Sequence, residues 1–133
     1  MTSIFSKIVS GEIFCHKILE NEHFLAFLDV APLAVGHTLV IPKKETDYIF
    51  DLPDADLAAL FVFAKQVAKA VEAAVPCRRI GIAVIGLEVP HAHVHLVPIE
   101  SADDLNFTQP KMVVSAEDLA ATATAIRAKL EVK

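Results

Sequence analysis

The run His91-Ala92-His93-Val94-His95-Leu96-Val97-Pro98 alternates imidazoles with apolar residues. Its residue types favour an extended strand. On a strand, side chains point to opposite faces in turn, so positions i, i+2 and i+4 share one side. The run therefore predicts a sheet that shows three imidazoles on one face and packs Ala92, Val94 and Leu96 on the other. Half of the chain's six histidines stand here. Aligned imidazoles suit nucleophilic attack, proton transfer or metal binding near neutral pH. Each carries a desolvation cost, and protonated rings repel one another. Buried polar groups also need partners, so a purely structural role accounts poorly for the arrangement.

Other segments fall into place around this strand. Ser3–Val9 reads as a short helix closed at Ser10-Gly11. Cys15–Glu20 and His23–Val30 are β-rich runs joined at Asn21-Glu22 as a hairpin. Pro32–Gly36 is a turn and His37–Pro42 a third strand. A longer helix is expected after Asp51-Leu52-Pro53-Asp54, with Asp51 as N-cap and Pro53 in the first turn. Pro76 stops it after about Val75. Leu57, Phe61, Ala64, Ala68, Val71 and Val75 form its apolar stripe, and Lys65, Lys69 and Glu72 a polar one. Val62 and Phe63 lie off that stripe, either as minor core or as contacts to a second copy.

Ile80–Ile85 and His91–Ile99 are two further strands joined by a tight turn over Gly86–Pro90. Ser101–Met112 reads as a loop. Ser115-Ala116-Glu117-Asp118 resembles a capping box; it opens a last helix with Leu119, Ile126 and Leu130 on one side. Hairpins with segregated helices predict an α+β fold on an antiparallel sheet. A chain of 133 residues is ordinary for one domain.

Composition narrows the function. The net charge is -5 and the pI about 5.6, which argues against a general nucleic-acid binder. No apolar run is long enough for a membrane span. Cys15 and Cys77 have no paired spacing, and the opening residues lack a secretion-signal pattern. A reducing, cytoplasmic setting is expected.

Two chemistries compete at the histidines. Histidines two apart on a strand can ligate zinc, with His37 or Glu45 as a third ligand. Alternatively the middle imidazole attacks an electrophile through one nitrogen while the other donates to a fixed acceptor. A neighbouring histidine then protonates the leaving group.

Three blocks in order bear on this choice: Phe24-Leu25-Ala26-Phe27-Leu28-Asp29-Val30, then Pro32 and Gly36-His37-Thr38-Leu39-Val40-Ile41-Pro42-Lys43-Lys44, then His91-Ala92-His93-Val94-His95. Together they closely resemble the histidine triad (HIT) family, and Ile4-Phe5, Lys7-Ile8 and Gly11-Glu12-Ile13 resemble the opening of its Hint-like branch. The resemblance covers about residues 3–98 of a single domain over 1–133, which leaves about 99–133 as a C-terminal extension. It implies a HIT-like fold: a five-stranded antiparallel sheet, one long central helix, a short N-terminal helix and a C-terminal helix.

The resemblance implies roles as well. His93 matches the nucleophile that forms a nucleotidyl-histidine, and His95 the histidine at the phosphate and leaving group. His91 matches the residue whose carbonyl orients the nucleophile, and His37 the upstream histidine of the cluster. Asp29 matches the carboxylate for the ribose hydroxyls. Ile4, Phe5, Ile8, Phe27 and Val30 match the apolar slot for the base, with Val89 beside it. The implied activity is hydrolysis or transfer at the α-phosphate of purine nucleotides such as nucleoside 5′-phosphoramidates, without cofactor, by a homodimer. Dinucleoside polyphosphate hydrolysis, or nucleotide binding with little turnover, are the alternatives. From the residues alone, Asp29 also reads as a turn residue and Phe27 and Val30 as ordinary core. Lys43 and Lys44 read more simply as a solvated rim.

Two departures from the family pattern stand out. Some members hold a structural zinc through an opening Cys-x-x-Cys and a histidine after Pro-Lys-Lys. Those positions are Ser3, Ser6 and Glu45 here, so no structural zinc is expected. The family's Gly-Gln-x-Val is Gly86-Leu87-Glu88-Val89 here, which removes a hydrogen-bond donor from the leaving-group side.

Overall fold

Apolar residues in the central strands run without alternation, because both faces of the sheet are covered. The computed structural model describes residues 2–130. Five strands, β1 (Lys17–Glu20), β2 (Phe24–Leu28), β3 (Thr38–Pro42), β4 (Arg79–Ala83) and β5 (Val94–Ile99), make one sheet in the order β1-β2-β3-β5-β4. All pairings are antiparallel. Every residue of β2 and β3 is buried.

One face carries Phe24, Ala26, Leu28, Val40, Val94 and Leu96 against helix α2 (Asp54–Ala74) and helix α3 (Ala116–Leu130). The other carries Leu25, Phe27, Leu39 and Ile41 beneath Phe5 of helix α1 (Ile4–Val9). Ser3 caps α1 by accepting from the Ser6 N–H, which sets the angle at which Phe5 enters the sheet face. The expected α+β architecture is the observed one.

Several local expectations need correction. Asp51 does not cap α2. Ile49–Asp51 form a separate 3-10 turn, Pro53 holds the cap position, and no side chain caps the helix. Ile49 and Leu52 are both buried, so packing closes the chain there before the helix starts. Asp54 and Asp56 in the first turn favour the dipole instead.

The buried stripe of α2 is Leu60, Phe63, Ala64, Val67, Ala70 and Val71. Phe63 is core, packed against Phe24 with centroids 5.5 Å apart. Phe61 is 38% exposed and Val62 70% exposed, while Leu57, Ala68 and Val75 only edge the core. Many alanines leave the face of such a helix to the sheet beneath it. Ser115 accepts from the Asp118 N–H, whereas a reciprocal capping box forms in the expected loop, at Ser101 and Asp104.

The strand containing the histidines is shorter than its sequence implied. The ladder begins at Val94. His91 and Ala92 instead bond through their N–H groups to Val89 and Thr46 carbonyls. Alternation survives in the packing: Ala92 and Val94 join the helix-side core, and the imidazoles lie on the side of Phe5.

Candidate active site

Gly36 starts the site. Its φ of +91° is a conformation that a residue with a Cβ resists, and it turns the chain so that His37 enters β3. Cross-strand register then sets Leu39 opposite His95, and both face the Phe5 side. His37, His91, His93 and His95 are all buried. His93 and His95 have ring centroids 4.9 Å apart, and His37 and His95 5.2 Å.

Hydrogen bonds fix where each proton sits. A carbonyl can only accept. His93 therefore donates from Nδ1 to the His91 carbonyl at 2.8 Å, which leaves Nε2 as the lone-pair nitrogen of the neutral ring. His91 donates from Nε2 to the Pro42 carbonyl at 2.8 Å, and its Nδ1 accepts from Ser3 Oγ at 2.8 Å.

On the other side the Leu33 N–H donates to His37 Nδ1 at 3.0 Å. The His37 proton must then sit on Nε2, which donates to His95 Nδ1 at 3.0 Å. His95 is left with its hydrogen on Nε2. The site thus pairs a nucleophilic nitrogen on His93 with a proton-bearing nitrogen on His95, as two-step displacement requires.

Burial favours the neutral form of His95, His37 and His91. It pushes the His95 pKa down to about 3, with the neighbouring His93, His37 and Lys111 adding to the effect. Burial also lowers His37, partly offset by the Asp29 carboxylate, and lowers His91, offset by its bond to Pro42.

Around this pair, Phe5 stands edge-on to Phe27 at 5.7 Å and to His93 at 4.9 Å. Ile8 and Val89 pack against the same cluster, as do Val9 and Cys15, which the sequence did not single out. Ile4 and Val30 are exposed, at 49% and 64%, so they form a rim rather than a wall. Asp29 serves the turn as well as the cleft. Its Oδ1 accepts from the Ala31 N–H at 2.9 Å, and its Oδ2 lies 3.7 Å from His37 Nε2.

Lys43 pairs with Glu20 at 2.7 Å, which is the rim reading. Leu87 is 87% exposed and takes no part in the histidine network. The C-terminal extension supplies a wall that motif reading missed: Phe107 lies 4.5 Å from His95 and 6.1 Å from His37. An aromatic residue in a polar loop was the only signal for it.

Neither cluster of candidate ligands fits a metal. Asp29, His37 and His95 bring ligand atoms within 4.8 Å of one another. However, the Leu33 amide occupies His37 Nδ1, so Nε2 carries a hydrogen where a metal needs a lone pair. The second cluster is Ser3, Ser6, Glu45 and His91. Glu45 Oε1 accepts from the Ser3 N–H at 2.6 Å and from Ser6 Oγ at 2.7 Å. Ser3 Oγ in turn holds His91 Nδ1. Serine hydroxyls are poor zinc ligands, and here they already serve as donors. These bonds hold the Glu45 carboxyl down to about 2, the Ser3 amide contributing most.

A buried row of imidazoles with fixed tautomers, set on one face of a five-stranded sheet, defines a histidine-triad site. A sequence model of the HIT domain matches residues 10–102, and the chain belongs to that family. It is 34% identical to adenosine 5′-monophosphoramidase of Schizosaccharomyces pombe, over 98% of this chain and all of that one. It is 39% identical to an uncharacterized HIT-like protein of Methanocaldococcus jannaschii, over 75% of this chain and 81% of that one.

Among solved structures, a HIT-like protein from Bartonella henselae involved in cell-cycle regulation superposes with a TM-score of 0.83 at 30% identity, covering 96% and 95% of the two chains. A zinc-bound histidine triad family protein from Mycobacterium smegmatis gives 0.81 at 31% identity, covering 96% and 91%.

Proposed function

We propose that this chain hydrolyses or transfers at the α-phosphate of purine nucleoside 5′-phosphoramidates or related nucleotides. The observation that carries the reading is the 2.8 Å bond from His93 Nδ1 to the His91 carbonyl, which presents Nε2 as a nucleophile beside the N–H of His95. His93 Nε2 attacks phosphorus, and the bond from phosphorus to the leaving amine or oxygen breaks. His95 Nε2–H gives its proton to that atom. Water then attacks the nucleotidyl-histidine and releases the nucleoside monophosphate. Asp29 takes the ribose hydroxyls. Phe5, Phe27, Ile8 and Val89 flank the base, with Ile4 and Val30 at the rim. No metal or cofactor enters these steps. The phosphoramidase activity named for the yeast relative supports the choice of substrate.

The test is intact-mass analysis after mixing with adenosine 5′-phosphoramidate. Wild type gains the mass of an adenylyl group and releases adenosine monophosphate, while His93→Ala does neither. Undiminished turnover in that variant overturns the reading. The exposure of Leu87 favours one alternative, nucleotide binding with little turnover. Tight binding of adenosine monophosphate by calorimetry, with no phosphoramidate cleaved, would select it. Competition between a phosphoramidate and a dinucleoside polyphosphate separates the other.

The unit proposed is one domain over 1–133, working as a homodimer in the cytoplasm. Among the described residues, no helix is long and apolar enough to cross a membrane. Phe61 and Val62 on α2 and Ile82 on the edge strand β4 are exposed. An apolar helix face beside an unpaired strand edge suits a second copy. A monomeric Val62→Glu variant beside a dimeric wild type in light scattering would support it; a monomeric wild type would end it.

A further inference from the structure

The histidine row has two differently built ends. Phe5 covers His93 at 4.9 Å and His91 at 5.8 Å. Phe107, from the segment before α3, covers His95 at 4.5 Å and His37 at 6.1 Å. That segment is tied down: the Met112 N–H donates to the Pro32 carbonyl at 2.8 Å, in the turn that leads to His37.

Lys111 belongs to the same segment. Its Nζ donates to the carbonyl of Phe107 at 2.7 Å and to that of Gln109 at 3.2 Å. The ammonium is thus fixed on the backbone of the residue whose ring packs on His95. Among the described residues it has no carboxylate partner, whereas Lys17 and Lys43 both pair with Glu20. Its charge reaches the row, lowering the pKa of His37 and His95.

From these contacts we infer that Lys111 binds a negatively charged group on the departing part of the substrate. Preferred substrates would then be nucleotides whose leaving group carries a carboxylate or a phosphate. The inference rests on the activity proposed above. In an in-line displacement the leaving atom departs on the side away from His93 Nε2. It receives its proton from His95, so whatever it carries lies on the His95 side of the row, where Phe107 packs on that ring and the Lys111 ammonium sits on the Phe107 carbonyl. The turn over Gly86–Pro90 offers no side-chain donor there, and its Leu87 is 87% exposed. A chain of net charge -5 needs a local cation to hold such an anion.

Two adenosine 5′-phosphoramidates test this, one of β-alanine and one of β-alaninamide, which differ only in the distal charge. Diadenosine tetraphosphate provides a phosphate arm. Wild type should show a kcat/KM about tenfold higher for the carboxylate substrate, the scale of one charge-assisted contact. Lys111→Met should bring the ratio to about one, and Lys111→Arg should keep it. If only the tetraphosphate loses rate in Lys111→Met, the natural anion is a phosphate.

A wild-type ratio near one, with the tetraphosphate also unaffected by Lys111→Met, overturns the inference. So does a ratio that persists in Lys111→Met. Equal losses on all three substrates also overturn it, because they place Lys111 on the α-phosphate that all share. Release of no nucleoside monophosphate from any substrate by wild type removes the proposed activity itself, and this inference with it.

Discussion

Replacing His37 by leucine should damage proton delivery without touching the nucleophile. His37 Nε2 is the donor that occupies His95 Nδ1, at 3.0 Å, and the two residues are 1% and 8% exposed. Leucine fills similar space but donates nothing. An unpaired buried acceptor costs about 1–3 kcal/mol, and the His95 proton is then free to sit on Nδ1. Nε2 would turn a lone pair toward the departing atom.

General-acid assistance is worth about 10²–10⁴ in rate. A loss of about 10² in kcat is therefore expected for an adenosine phosphoramidate of a basic amine, with KM little changed. A nitrophenyl ester of adenosine monophosphate leaves without protonation and should lose far less. His37→Gln, whose amide can donate, should recover part of the difference. Equal losses on the two substrates, or a loss confined to KM, would refute the proton path from the Leu33 amide through His37 to His95.

Acidification should destabilise the fold. His95 stays neutral when folded, with its pKa near 3, but takes a proton below about 6.5 when unfolded, so its contribution is full above pH 6.5 and is lost toward pH 3. At pH 5 it alone costs about 2 kcal/mol. His37 and His91 shift in the same direction, and urea midpoints at pH 8 and pH 5 would show the fall, which His95→Gln should flatten. Gly36→Ala should cost about 2 kcal/mol or more, because its φ is +91° and a Cβ there would meet Val75 Cγ2 at 2.9 Å. Urea unfolding at neutral pH measures it, and an unchanged midpoint would contradict the strain. Freshly purified, untagged protein should carry no stoichiometric zinc by elemental analysis, and Glu45→Gln should lessen the fall in urea midpoint between about pH 4.5 and 2, where the folded carboxylate stays charged.

Local pattern carried the parts of this fold that local geometry decides. The imidazole alternation, the apolar runs of β2 and β3, and Pro76 at the end of α2 each follow from a few neighbouring residues. The face presented by α2 does not. Its alanines permit either stripe, and Phe63 rather than Phe61 is buried because the sheet places Phe24 beneath it. The same holds for Asp51, whose neighbours Ile49 and Leu52 are drawn into the core and close a 3-10 turn before the helix begins.

The candidate site divides along the same line. The proposed nucleophile His93 and proton donor His95 lie two positions apart and are visible at once. The His91 carbonyl that fixes the His93 proton is local too, but the groups that hold His95 and His91 come from far along the chain. Leu33 holds His37, 58 positions from His95, and Ser3 reaches His91 across 88. Glu45 fastens Ser3 across 42. Ser3 and Ser6 read in sequence only as departures from a zinc-binding pattern, which leaves out the bonds they make here. A zinc ion would tie α1 to the histidine strand. Here two hydroxyls, one amide and one carboxylate make that tie. Because Ser3 donates to His91 Nδ1, the tie also holds the residue whose backbone carbonyl aims His93. Releasing Glu45 should therefore weaken the hold on α1, and the wall formed by Phe5, before it alters the nucleophile.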